Sequence, residues 1–193
     1  KEIIGEWKES VGIYLSDFPA FGIRENDTIR KIETAVPGMI MTIDKASFYK
    51  QKGHDTFLRL YAPSSAHTTQ SQGRTCSSCH IDPVSLGYGR GKLEFIIEGN
   101  TGTWNFTPRF ANRKEDNLPE DAWIGFLSDT GPQPYSARSD FRPLKLKEQK
   151  QILNVGACLT CHKEDSRIMK QSLQQPFEAY LKTISSECIV AKY

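Results

Sequence analysis

The sequence predicts an α+β fold with much irregular structure. We expect a β-rich N-terminal part at residues 1–60, followed at 61–193 by a part with a hairpin and C-terminal helices; the two are also compatible with one continuous domain. Short β-branched and apolar runs separated by turn residues fill the first third of the chain. Two alternating segments flank a turn near the middle. Helical spacing of apolar residues appears near the C-terminus.

The first third contains three candidate strands, at residues 11–15, 28–35 and 39–43. Turn-forming residues, among them Pro37-Gly38, interrupt these runs and predict breaks between strands. The following stretch, residues 62–75, is small and polar and therefore predicts a loop.

Residues 92–98 and 103–107 predict the two strands of a hairpin around the turn at 99–102. Alternation places the apolar side chains of each strand on one face of the sheet. In the first strand these are Leu93, Phe95 and Ile97, and in the second they are Trp104 and Phe106.

Residues 108–143 are rich in Pro, Arg, Asn and Asp and predict an irregular connection with a short apolar element at 122–127. Good helix formers at 144–157 predict a helix that ends at Gly156. A second helix is predicted to start at Pro176, which suits a first helical turn. Its apolar stripe consists of Phe177, Tyr180, Leu181 and Ile184.

Two Cys-x-x-Cys-His motifs dominate the chemistry of the sequence. They consist of Cys76, Cys79 and His80, and of Cys158, Cys161 and His162. Each has the form of a c-type haem attachment site. Two thiols at this spacing can form thioethers with the two vinyl groups of one porphyrin, and the adjacent His reaches the iron from one face. The sequence therefore predicts two haem c groups, with His80 and His162 as proximal ligands.

Zinc binding and thiol redox chemistry are the alternative interpretations of a Cys-x-x-Cys pair. Zinc pairs in compact ribbons are commonly separated by about 15–20 residues, and the separation here is far longer. A thioredoxin-like site would occur once and would not need a His directly after it. Two copies that both end in His favour haem.

The histidine count suggests the distal ligands. The chain has four histidines, and two remain after the motifs: His54 and His67. We expect these two to be the distal ligands, which would give two bis-His haems of lower potential than a His/Met pair.

Other distal arrangements stay open. Met39, Met41 and Met169 are the only methionines, and core packing is the ordinary role of such residues. A distal ligand could also come from a neighbouring chain or be absent. An open position on iron would permit binding of a small molecule and catalysis.

Several further residues have two possible roles. Arg74, Arg90 and Lys163 flank the motifs and would either pair with haem propionates or remain solvated. The glycines at 86–91 would either bring the backbone close to a haem face or form a flexible loop. The fifth cysteine, Cys188, is either a partly buried free thiol or a bridge to another chain.

Composition limits the class of partner. The chain has 193 residues, 38% of them hydrophobic and 25% charged, with a formal net charge of +2. Four ionised propionates on two haems would bring the net charge to about −2, which does not favour a nucleic-acid partner. No apolar run approaches the roughly 20 residues of a membrane span.

Residues 57–170 resemble the multihaem c-type cytochromes exported by respiratory bacteria and archaea. The resemblance lies in the run RLYAPSSAHTTQSQGRTCSSCHIDPVSLGYGRGKL and in EDAWIGFLSDTG followed by RPLKLKEQKQILNVGACLTCHKED. It implies an electron carrier in which His67 is a distal ligand. With two motifs and a Cys-free first third, the chain departs from members with crowded haems, so the resemblance does not imply close haem stacking within one chain.

The resemblance and the motifs together predict a dihaem cytochrome that transfers electrons to redox partner proteins, with other cytochromes as the expected partners. Haem attachment of this kind takes place outside the cytoplasm. We therefore expect a periplasmic, cell-surface or secreted protein whose export signal has been removed. The alternatives are a peroxidase-like haem enzyme with an open or displaceable axial site, and a subunit of a homo-oligomer, larger complex or electron-conducting filament.

Overall fold

A computed structural model describes residues 19–43, 56–65, 71–184 and 188–193. In these ranges the chain is a mixed α+β protein with two sheets and four helices, and it is largely β. The α+β class predicted from the sequence is therefore confirmed. The predicted strand at 11–15, His54 and His67 lie outside the described residues.

The larger sheet has the strand order β3-β2-β1-β6 and is antiparallel throughout. Its strands are β1 (Ala20–Glu25), β2 (Arg30–Ile43), β3 (Thr56–Ser64) and β6 (Phe141–Arg142). The predicted break at Pro37-Gly38 was wrong, because β2 continues through it. The β2–β3 register shifts between Pro37 and Met39, and such a bulge accommodates a proline that cannot donate a hydrogen bond.

The second sheet contains the predicted hairpin. Its strands β4 (Gly91–Glu98) and β5 (Thr101–Pro108) are antiparallel, and β7 (Val190–Lys192) pairs parallel to β5. Phe95 lies opposite Trp104 with 5.2 Å between ring centroids, and Leu93 lies opposite Phe106. The predicted pairing of the two apolar faces is confirmed.

The helices are α1 (Ser77–His80), α2 (Leu146–Cys161), α3 (Arg167–Ser172) and α4 (Phe177–Leu181). Helix α2 confirms the predicted helix, but its predicted end at Gly156 was wrong because it continues to Cys161. Pro176 is the N-cap of α4, which is shorter than the predicted stripe. Across the described ranges no helix combines the length and apolar character that a membrane crossing would need.

A single apolar cluster joins both sheets to α2. It contains Ile23 from β1, Trp104 from β5 and Leu153 from α2, together with Tyr88 from the turn between α1 and β4. Strands from the first third of the chain thus pack against the helix that carries the second motif. The division between residues 60 and 61 stays a prediction.

The segment 108–143 is irregular, as predicted, from residue 109 to residue 143 except for the two residues of β6, because Pro108 still belongs to β5. Trp123 is 1% exposed and stacks on Tyr61 of β3 at 4.6 Å between ring centroids. The backbone amides of Trp123 and Ile124 both donate to the carbonyl oxygen of Gly87. This segment therefore holds the turn that follows the first motif.

Candidate haem-attachment site

The first motif forms a single helical turn. Cys76 is the N-cap of α1, and the amides of Cys79 and His80 both donate to its carbonyl oxygen, at 3.2 and 2.9 Å. Both thiols are partly buried. One turn of helix brings residues three positions apart to the same side, as attachment of two thiols to one porphyrin edge requires.

The imidazole of His80 is held by a backbone carbonyl of α2. Its Nδ1 lies 3.0 Å from the carbonyl oxygen of Ile152. A carbonyl oxygen can only accept, so Nδ1 carries the proton and donates. In the neutral ring Nε2 then has the free lone pair. A hydrogen bond of this kind from the second ring nitrogen is the usual arrangement for a histidine that binds a metal.

His80 lies on a groove of about 480 Å³ whose walls are mainly apolar. The apolar lining consists of Ile23, Ile32, Leu144, Ile152, Val155 and Phe177. Ile32 is 63% exposed, a large apolar side chain left open to water beside this groove. An apolar groove with a histidine whose Nε2 is available for a metal has the chemistry that a haem would need, and the two thiols of the motif lie outside its lining.

The rim of this groove carries paired charges. Burial alone would raise the pKa of Glu148, but hydrogen bonds from Arg142, from the Lys145 amide and from Arg30 lower it to about 2. Glu148 is therefore ionised at neutral pH and offsets the charge of both arginines. Lys31, also on the rim, pairs with Glu33 at 2.7 Å.

The second motif ends helix α2. Cys158 and Cys161 belong to its last turn, and His162 is the C-cap, whose amide donates to the carbonyl oxygen of Cys158 at 2.9 Å. Cys158 is partly buried and Cys161 is exposed. His162 lines an open groove of about 530 Å³ together with Leu159 of the same motif.

One thiol of each motif has a raised pKa. Burial raises the pKa of Cys158, and the neighbouring thiols of Cys188 and Cys161 raise it further. Burial also raises the pKa of Cys76, as does its hydrogen bond to Glu164. Reactive cysteines have a lowered pKa. The raised pKa values of Cys76 and Cys158 do not favour thiol redox chemistry at these two residues.

The fold brings the two motifs together although they are far apart in sequence. The backbone amide of Cys76 donates to Glu164, which follows the second motif, at 2.6 Å. Ser77 of α1 lies on the same groove as His162. The sequence did not predict that the two motifs lie close to each other within one chain.

Gly156 explains why α1 can approach α2 so closely. A Cβ atom at this position would lie 2.7 Å from the carbonyl oxygen of His80 and 3.1 Å from Trp104. Any side chain would separate the two helices. The glycine was predicted to stop the helix, and instead it lies inside the helix as the contact point for the first motif.

The basic residues near the motifs have different roles. Arg74 donates to the carbonyl oxygen of Ser78 and, at 2.8 Å, to the hydroxyl of Ser85, and it also lies 3.6 Å from Asp82. Arg74 therefore links Ser78 of the first motif to the loop that contains Asp82 and Ser85. Lys163 is exposed, and Arg90 is partly buried. Propionate pairing by these residues stays a prediction.

The Gly-rich turn at 86–91 is buried between residues 86 and 89. Gly89 has a φ of +80°, and a Cβ atom on it would lie 2.2 Å from Asp121 Oδ1. The glycine permits this left-handed backbone and the close approach of Asp121. The two buried glycines of the turn therefore face the segment that starts at Asp121, while Tyr88 of the same turn donates to Gln149 of α2 at 2.9 Å.

The predicted distal ligands cannot be placed. His54 and His67 lie outside the described residues, as do the side chains of Met39 and Met41. Met169 of α3 is 4% exposed, as expected for a residue that packs in the core. Bis-His ligation therefore stays a prediction.

Cys188 is partly buried and forms no disulfide with a described cysteine of its own chain; a bridge to another chain stays a prediction. Its thiol is close enough to raise the pKa of Cys158. It therefore lies beside the second motif although it precedes β7 in the sequence.

Sequence reasoning missed three groups at the site: the Ile152 carbonyl, Gly156 and Glu164. Every residue has a backbone carbonyl, so the residue type at position 152 does not indicate that its carbonyl oxygen accepts from His80. Gly156 carried a signal, which was interpreted as a helix end. Glu164 is one of several charged residues after the second motif, and nothing in its spacing indicates a partner near residue 76.

The described side chains include no group of three or more His, Cys, Asp or Glu residues arranged to hold a metal ion. Comparison with known proteins gave no match to any family model, any curated protein or any solved structure.

Proposed function

We propose that the chain is a dihaem c-type cytochrome that transfers electrons. The observation that supports this most directly is the hydrogen bond from His80 Nδ1 to the Ile152 carbonyl oxygen at 3.0 Å, beside an apolar groove. It leaves Nε2 free, which is the atom that a proximal ligand uses. The sequence supplies two such motifs, each with two thiols and one imidazole.

Each motif would bind one haem. Cys76 and Cys79 would bind one haem through thioethers, and Cys158 and Cys161 would bind the other. The haem irons would supply the redox couple when bound. The apolar side chains around His80 would exclude water from one face, and burial is one of the means by which a protein adjusts a haem potential.

We propose an electron carrier and not an enzyme because the two histidines outside the motifs, His54 and His67, match the two distal positions in number. With an imidazole on each side of both irons, no substrate could bind iron. Electron transfer between the haems and redox partner proteins is then the remaining function.

We also propose an extracytoplasmic location and redox partner proteins, with other cytochromes as the expected partners. Both follow from the covalent attachment chemistry and from the resemblance to exported multihaem cytochromes. The exposed Cys161 supports an accessible attachment site at the surface, where electron exchange with a partner, or with a second copy of the chain, would be direct.

The first test counts haems per chain after expression in a host that attaches haem c. We expect two haems in the natural chain, and one after replacing either Cys76 and Cys79 or Cys158 and Cys161 with Ser. Mass spectrometry of the denatured protein retains covalent haem and gives the count, and the absorbance of the pyridine complex gives an independent value.

Cys188 offers a matched control. Because it lies outside both motifs, Cys188→Ser should keep two haems per chain. Natural protein without covalent haem would refute the proposal, and so would a loss of haem in Cys188→Ser equal to that in the motif variants.

The distal ligands have their own test. His67→Ala should keep both haems attached and convert one from low spin to high spin, because one iron loses its sixth ligand. The paramagnetic resonance spectrum of the ferric protein measures this conversion, and His54→Ala should convert the other haem. Two low-spin haems in His67→Ala, with no replacement ligand, would show that His67 is not a ligand. A high-spin component in the natural protein would favour a haem enzyme with an open site.

A further inference from the structure

Helix α1 contains four residues, too few to be stable alone. Forming a first helical turn costs more backbone entropy than one hydrogen bond returns. The conformation of the first motif must therefore be imposed by its neighbours, and contacts at its two ends are available to do so.

The C-terminal end of α1 is held by helix α2. His80 donates to the carbonyl oxygen of Ile152 at 3.0 Å, and Gly156 lets the two backbones meet. Both partners lie on the helix that ends in the second motif, so this contact fixes one end of the first motif relative to the second.

The N-terminal end is held by Glu164. Its carboxylate accepts from the backbone amide of Cys76 at 2.6 Å. A hydrogen bond to a charged acceptor is stronger than one between neutral groups. The amide of an N-cap residue has no acceptor within its own helix, so a carboxylate from elsewhere in the chain satisfies it.

Glu164 is itself in a defined position. It lies two residues after His162, the C-cap of α2, and two residues before Ser166, the N-cap of α3. The Ser166 amide donates to the Lys163 carbonyl oxygen at 3.0 Å and closes the turn around Glu164. The turn between two helices thus presents the carboxylate to Cys76.

We propose that Glu164 is a positioning residue that locks the two Cys-x-x-Cys-His motifs to each other, so that the chain presents its two haems as a fixed pair. This inference deepens the proposed function and rests on it for the haems, while the lock itself is a property of the polypeptide. Together with the Ile152 and Gly156 contacts, Glu164 holds α1 at both ends against one neighbouring segment.

The test compares Glu164→Ala, Glu164→Gln and Asp165→Ala in the full chain purified from a haem-attaching host. Asp165 is the matched control, because Glu164 and Asp165 are both exposed carboxylates on the groove that His162 lines. Hydrogen exchange at the Cys76 amide is the first readout. We expect Glu164→Ala to speed exchange about tenfold or more, Glu164→Gln to retain part of the protection because its amide oxygen still accepts, and Asp165→Ala to change nothing.

The second readout is the magnetic coupling between the two ferric haems in the paramagnetic resonance spectrum. Glu164→Ala should broaden or weaken this coupling while the haem count stays at two, and Glu164→Gln should restore it in part. Equal exchange and equal coupling in Glu164→Ala and Asp165→Ala would overturn the proposal. Failure of the proposed function would look different: no variant would carry haem, while the exchange measurement would still report on the lock.

Discussion

Replacing Gly156 with Val is expected to reduce the free energy of unfolding by about 1–3 kcal/mol, the range for forcing extra atoms into a packed contact. The first atom of any side chain would lie 2.7 Å from the His80 carbonyl oxygen and 3.0 Å from Ile81. The oxygen belongs to the backbone and cannot rotate away. Urea unfolding followed by circular dichroism measures the loss.

This expectation runs against intrinsic helix preference. At an open position inside a helix, replacing Gly with Ala stabilises the helix by up to about 1 kcal/mol. Gly156→Ala therefore separates the two effects: a loss of stability shows that contact with α1 outweighs helix preference, and a gain would contradict the close packing.

Gly73 is the control for the Gly156 variants. A Cβ atom on Gly73 would meet nothing within 4 Å, so Gly73→Val should change stability by less than about 0.5 kcal/mol, as at other open surface positions. A Gly156→Val protein as stable as Gly73→Val would show that α1 does not depend on this approach.

The parts of the structure that the sequence predicted are those determined by local pattern. The hairpin was predicted from alternation on either side of a short turn, and Phe95 does face Trp104. The motif residues were singled out because their spacing has a chemical reason, and haem attachment by them stays a prediction. Both signals lie within a few neighbouring residues and need no knowledge of the tertiary fold.

The parts that were missed depend on packing between distant segments. Gly156 is an ordinary helix-ending signal, and only the neighbouring α1 shows why it lies inside a helix. Glu164 pairs with Cys76 across the fold, which no local pattern encodes. Pro37 was a reasonable strand break, but pairing with β3 continues past it through a bulge.

Replacing Arg59 with Met is expected to cost about 3–5 kcal/mol of stability, the range for removing one partner of a buried ion pair. Arg59 is 5% exposed and pairs with Asp116. Its Nη1 also donates to the carbonyl oxygens of Glu120 at 2.7 Å and Ala122 at 3.0 Å. Met fills similar space but donates no hydrogen bond, so the Asp116 carboxylate and three carbonyl oxygens, including that of Leu118, would lose a donor.

Lys92→Met is the matched control, because Lys92 also forms an ion pair but is 72% exposed and its partner Glu94 is 39% exposed. Exposed pairs contribute about 0–1 kcal/mol, so this variant should remain close to the natural protein in urea unfolding. Similar losses in the two variants would show that the network around Arg59 is not buried in solution.

The Arg59 network also bears on the first motif. Arg59 fixes the segment that ends in Ala122, and the next two residues, Trp123 and Ile124, donate to the carbonyl oxygen of Gly87. Gly87 belongs to the turn that follows α1. Arg59→Met should therefore increase hydrogen exchange at the Trp123 and Ile124 amides as well as lowering global stability. Unchanged exchange there would show that the turn after the first motif holds its shape without the network.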